Sequence, residues 1–237
     1  MYDTLHLCYN FVDNDRPNTD EIIYKLNEVS DVEFSGGSTC TYGNLDNLRV
    51  CVREGELTIK GSLPKYYYGN NFQTLSQKTT SEAIEKLSDD LNLDVNLCKV
   101  SRIDLSTNFI TTYEPNIYYD YLGNLKRFNR LENPHSIDYR QKSKKLLFYD
   151  KVIWAKQTQS MIPLEFQNKN VLRYEMGLNE AVKRYLKLNK ITMQDLHGDS
   201  MYSRLVEEWY NFYNRIEKKP SKEIVLNTHN IKSPKDF

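Results

Sequence analysis

Apolar and polar residues alternate from the start of the chain, with Leu5, Leu7, Tyr9 and Phe11 set against Thr4, His6, Cys8 and Asn10. This period of two predicts a strand over 2–11, inside a sheet. Ile22, Ile23, Leu26 and Val29 then follow Asn18 and Thr19 at helical spacing, which predicts a short capped helix. Two alternating runs, 48–53 and 56–60, flank Glu54-Gly55 and read as a tight hairpin. Ala83, Ile84, Leu87 and Leu91 share one face of a helix over about 80–91, with Ser81 near its start.

In the second half, Ile103, Leu105 and Phe109 oppose Arg102, Asp104, Ser106 and Asn108, giving a strand over 99–110 with one polar face. Residues 114–124 read as a short helix, and 146–151 and 171–176 as strands joined by a loop or helix around Pro163. A helix from about Glu180 is capped by Asn179. Val206, Trp209, Tyr210, Tyr213 and Ile216 form a helical stripe over 203–218 that suits core packing. These elements predict an α+β fold, an antiparallel sheet of five or more strands with helices on one face and a polar face opposite. The expected organisation is one domain over 1–219, with halves 1–98 and 99–219, and a tail or linker over 220–237.

Composition first argues against a polyanion binder, since 32 Lys+Arg balance 32 Asp+Glu among 237 residues. Position changes that reading. Residues 1–100 hold 9 basic and 16 acidic side chains, whereas 101–237 hold 23 and 16. Residues 125–145 alone carry seven Lys/Arg against two Asp/Glu around the turn-forming Asn133-Pro134, and read as an exposed loop or hairpin arm. Cys8, Cys40, Cys51 and Cys98 are widely spaced with no C-x-x-C pair, which predicts reduced, buried thiols. The first residues lack a basic, then apolar, leader and no run approaches a membrane span, so a cytoplasmic protein is expected.

Residues two apart on a strand share a face, so three polar faces emerge: Arg102 with Asp104, Tyr149 with Lys151, and Arg173 with Glu175. On neighbouring strands, Asp104 and Glu175 would suit a hard cation, Mg²⁺ or Mn²⁺. Tyr149 beside that cation and Lys151 would be favoured as phenolate, a nucleophile able to attack a phosphodiester. The same patterns also describe solvated cross-strand ion pairs worth about 0.2–1 kcal/mol.

Several segments occur in an order that resembles a known family: Met1 to Leu7, Gly55 to Lys65 with Tyr68 to Asn71, Ser101 to Asp104, Phe148 to Lys151, and Leu172 to Glu175 with Arg184 to Lys187. Through about residue 197 the chain resembles the gene II-type rolling-circle replication initiators of phages and plasmids, and more distantly plasmid trans-acting Rep nickases. The resemblance implies an endonuclease that nicks one strand of single-stranded or cruciform origin DNA, stays linked through tyrosine to the 5′ phosphate and later rejoins ends. It implies Tyr149 as nucleophile with Lys151 beside it, Asp104 and Glu175 as metal ligands, Arg102 and Arg173 on phosphate, and a host helicase and polymerase as partners. The chain departs from many such enzymes in having no His-hydrophobic-His motif among His6, His135, His197 and His229. It is also shorter than the filamentous-phage initiators, which leaves room for a further C-terminal part.

Tyr139, in the basic arm, and Tyr185, near Lys187, are rival nucleophiles. Arg140, Lys142, Lys144 and Lys145, with Lys126, Arg127 and Arg130, are expected to neutralise phosphates, and Phe128 and Tyr139 to stack on bases. Tyr66-Tyr67-Tyr68 offers a second surface. Two competing functions are a non-catalytic origin-binding protein of the same fold and a metal-dependent nuclease that hydrolyses with water.

Overall fold

The computed structural model describes residues 1–33, 37, 39–179 and 182–220. Along the chain run β1 (Tyr2–Asn10), α1 (Thr19–Tyr24), β2 (Asn27–Glu33), β3 (Thr39–Leu45), β4 (Leu48–Val52), β5 (Glu56–Ser62), α2 (Leu63–Tyr68), α3 (Gln77–Leu91) and β6 (Lys99–Thr111). They are followed by α4 (Pro115–Tyr121), β7 (Asn129–Asn133), β8 (Ser136–Gln141), β9 (Lys144–Asp150), α5 (Lys151–Gln157), β10 (Asn170–Leu178), α6 (Val182–Leu186), α7 (Met193–His197) and α8 (Asp199–Arg215). Contacts divide the chain into two compact units. One comprises Tyr2–Asp104 with Leu178–Gly198, the other Met1, Leu105–Gly177 and the chain from Asp199. Among the described residues no helix is long and apolar enough to cross a membrane.

In the first unit the strand order is β2-β3-β4-β5-β1-β6, so β1 is interior as its alternation predicts. The expected hairpin is β4–β5, in register from Arg49↔Lys60 to Val52↔Leu57, and Arg53 N–H donates to the Glu56 carbonyl across its turn. Leu5, Leu7, Val50, Leu57 and Ile59 are buried, as are Ala83, Ile84, Leu87 and Leu91 of α3. The capping box of Ser76 and Thr79 starts α3 at Gln77, earlier than the apolar spacing alone indicates. The first helix is shorter than its apolar spacing predicts: α1 stops at Tyr24, and Val29, expected on its face, lies on strand β2. All seven of its residues are exposed, so no buried face imposes an alternation.

Two further expectations are corrected in this unit. Cys40 and Cys51 are not separate thiols: β3 pairs with β4, their Cα atoms come to 6.5 Å, and they form a disulfide, while Cys8 and Cys98 are free. The tyrosine cluster is not an open surface either. It forms α2, capped by Ser62 and ended by Gly69 at φ 75°, a left-handed conformation that glycine adopts without strain. Tyr66 is buried and donates to the Asp90 carboxylate, and Tyr67 donates to Glu82 at 2.8 Å.

In the second unit the order is β6-β10-β9-β8-β7. The stripe of α8 is core, as expected. Trp209 lies 4.6 Å from the Tyr174 ring, Tyr174 stacks on Phe148 at 4.4 Å, and the Tyr174 hydroxyl donates to the Trp209 carbonyl. The helix expected from about Glu180 is described from Val182, its start lying outside the described residues, as does the tail from 221. Of the two forms expected for the basic segment, the hairpin is the one found: it supplies β7, β8 and the start of β9, paired from Asn129↔Arg140 to Gln141↔Lys144, but it is not exposed throughout. Ile137 and Tyr139 within it are fully buried.

Candidate functional site

Alternation on β9 and β10 sends Phe148 and Tyr174 into the aromatic core and leaves Tyr149, Arg173 and Glu175 on the opposite face. The Tyr149 hydroxyl donates to Glu175 Oε1 at 2.9 Å, and Arg173 Nε donates to the same oxygen at 2.6 Å. Arg173 is itself held from β6, where Asn108 Oδ1 accepts from Nη1 at 3.2 Å and Ser106 Oγ accepts from Nη2 at 2.7 Å. The arginine side chain is 2% exposed and that of Glu175 19%. A buried guanidinium with three separate acceptors has little freedom, so it fixes where the Glu175 carboxylate sits. The polar positions 106 and 108 were visible in the alternation of 99–110, but nothing in the sequence linked them to Arg173.

Lys151 departs from the expected geometry. Strand β9 ends at Asp150, whose carboxylate caps α5 by accepting from the N–H groups of Val152 and Ile153. Lys151 is therefore the first helical residue, and strand alternation no longer relates it to Tyr149. It is fully buried, with Nζ 4.6 Å from the Trp154 ring, whose centroid is 6.0 Å from that of Tyr149.

On the first unit's part of β6, Arg102 forks onto Asp104, Nε to Oδ1 at 3.0 Å and Nη2 to Oδ2 at 2.6 Å. Asp104 is nearly enclosed and Arg102 is 37% exposed. His6, on neighbouring β1, has its pKa lowered to about 4, chiefly by burial and then by Arg102 and Lys60.

The two rival tyrosines differ from Tyr149 in their settings. Tyr139 donates to the Gly123 carbonyl at 2.7 Å, and burial raises its pKa. Tyr185 lies on α6, half-buried. In the basic arm, Arg140 and Lys145 both face the buried Asp138, Lys145 at 3.7 Å, and Lys144 Nζ sits 4.9 Å over the Phe212 ring, its pKa lowered chiefly by burial. Lys142 is exposed between β8 and β9. Three of the arm's seven cations, Arg130, Arg140 and Lys145, thus face its two carboxylates.

As ligands for Mg²⁺ or Mn²⁺ the two carboxylates differ. Both oxygens of Asp104 lie in the arginine fork. Both bonds to Glu175 fall on Oε1, so Oε2 takes part in neither. Among the described residues no three His, Cys, Asp or Glu side chains gather as a metal cluster. A cation that retains water and binds through one carboxylate and a substrate phosphate fits Glu175 without such a cluster. A cleft of about 840 Å³ in the same unit is lined by Asp150, Lys156 and Lys169 and includes neither Tyr149 nor Glu175.

No curated protein matches the chain in sequence. Residues 1–219 match the family model that describes the N-terminal region of the phage replication-associated gene II protein. With that match covering nearly the whole described fold, the chain belongs to this family of phage replication-associated proteins.

Proposed function

We propose that the protein initiates rolling-circle replication in the cytoplasm of a bacterial host by nicking and rejoining origin DNA through Tyr149. The observation that carries this reading is the hydrogen bond from the Tyr149 hydroxyl to Glu175, on the polar face of β9 and β10. Glu175 accepts the phenolic proton as the tyrosine oxygen bonds to phosphorus, and the P–O3′ bond breaks with its electron pair leaving on the 3′ oxygen, which is protonated to a free hydroxyl. Rejoining is the reverse, with the 3′ hydroxyl attacking the phosphotyrosine. Arg173 acts as a positioning residue because Glu175, Ser106 and Asn108 engage it. Arg102, on the more exposed end of its ion pair, contacts phosphate, and Lys151 contributes positive charge one ring away from Tyr149. A Mg²⁺ or Mn²⁺ ion bound through Glu175 Oε2 would supply charge to the phosphate oxygens. Family membership supports the replication role, and a host helicase and polymerase would act on the nicked product.

One observation favours a second reading, a non-catalytic origin-binding protein: Tyr149 is only 6% exposed. Incubation with single-stranded origin DNA and Mn²⁺ separates the readings. The expected result is a denaturation-resistant protein–DNA band, lost with EDTA and lost in Tyr149→Phe while Tyr139→Phe and Tyr185→Phe retain it. A band that persists in Tyr149→Phe refutes the assignment. Cleavage without linkage supports hydrolysis by water, and binding with neither supports the second reading.

A further inference from the structure

Directly opposed residues on paired strands share a face. In the first unit Asn44↔Arg49, Arg49↔Lys60 and Lys60↔His6 therefore form one cross-strand row over β3, β4, β5 and β1. Arg102, on β6 at the other side of β1, acts electrostatically on His6 and extends the row. Arg49 and Lys60 are exposed, like-charged and directly opposite, an arrangement that repels. Among the described residues neither has a carboxylate within ion-pair distance. The nearby acids are engaged elsewhere: Glu28 accepts from Asn44 at 2.6 Å, Glu56 faces Arg53 and Cys8, and Asp104 holds Arg102. Arg49 is further ordered by the Tyr42 ring, 4.8 Å from its guanidinium carbon. His6, kept neutral between its cationic neighbours, adds a hydrogen-bonding group rather than a charge.

We infer that the row Arg49–Lys60–His6–Arg102 is a binding track for the sugar-phosphate backbone of single-stranded DNA. The inference rests on the replication reading for the identity of the strand. Strands about 4.8 Å apart set the cations in a line roughly 15 Å long across the sheet, which complements a linear polyanion rather than one compact anion. Phosphate relieves the repulsion that the fold leaves standing, and the Tyr42–Arg49 pair offers a planar edge for a base. The basic arm, chosen by charge count, has several of its cations matched internally; Arg49 and Lys60, inside the more acidic half, have no ion-pair partner among the described residues, and Arg102 is held by Asp104.

The test uses the full chain carrying Tyr149→Phe, so that DNA stays intact, and measures anisotropy of a labelled single-stranded oligonucleotide against salt. Each phosphate contact contributes about 0.7 to the slope of log affinity on log salt. Adding R49A and K60A should reduce that slope by about 1.4 and weaken binding about tenfold near 0.15 M salt. The swap Arg49→Lys with Lys60→Arg should restore both. Unchanged affinity and slope overturn the inference, as does weaker binding with an unchanged slope. An equal slope change on duplex DNA of the same sequence overturns the single-strand assignment. If the slope is unchanged while unmodified protein still forms the tyrosine adduct, the track alone fails. If the slope falls while no adduct forms, the nicking reading fails and the track stands.

Discussion

Arg173 and Glu175 should behave as one unit, and removing both should cost far less than the two single removals added together. The Arg173 side chain is 2% exposed and donates to Glu175, Asn108 and Ser106. Arg173→Met leaves the carboxylate without its counter-charge. Breaking a buried pair costs about 3–5 kcal/mol, and because Glu175 is 19% exposed and can regain water, the lower end, about 3 kcal/mol, is expected. Glu175→Gln instead strands a guanidinium with almost no access to water, so about 4 kcal/mol is expected. In the double variant no charge is stranded, and the remaining cost is the loss of the bonds that Ser106 and Asn108 make to the guanidinium, about 3 kcal/mol together. Additivity would give about 7 kcal/mol, so the coupling should be about 4 kcal/mol. Urea unfolding of the four proteins at constant pH and salt measures it. A double variant destabilised by about 7 kcal/mol would show that the two side chains act independently and that Arg173 does not position Glu175.

Two further outcomes follow from buried groups. Tyr139→Phe removes the bond to the Gly123 carbonyl and should cost about 1–3 kcal/mol in urea unfolding without changing adduct formation; adduct loss at unchanged stability would instead mark Tyr139 as the nucleophile. The pKa of His6 falls from its ordinary 6.5 to about 4 on folding, so the unfolded chain binds more protons between those values and stability should decline as pH drops from about 6.5 to about 4. His6→Asn should flatten that decline, and an NMR titration placing His6 near its ordinary value would contradict the cause assigned here.

Elements with an apolar face were legible in the sequence. Alternation separated the apolar from the polar side of β1, β4, β5, β6, β9 and β10, because the side chains of a strand alternate between its two faces. Helical spacing likewise revealed α3 and the aromatic stripe of α8. Where burial imposes no such pattern, as on the fully exposed β2, residue order carries little signal. Short helices depend on caps: Ser62 and Gly69 bracket α2, but Tyr66-Tyr67-Tyr68 looked equally suited to a surface.

For the candidate site, the sequence alone determined that Tyr149, Arg173 and Glu175 lie on polar faces. Only the tertiary structure decided that Tyr149 and Arg173 converge on one oxygen of Glu175, that Ser106 and Asn108 hold the arginine, and that Lys151 opens a helix. It also brought Cys40 beside Cys51 and aligned Arg49, Lys60 and His6. The physical reason is common to all of these. Which face a side chain takes follows from its own strand's period, whereas its neighbours follow from strand order and register, which are set by distant segments of the chain.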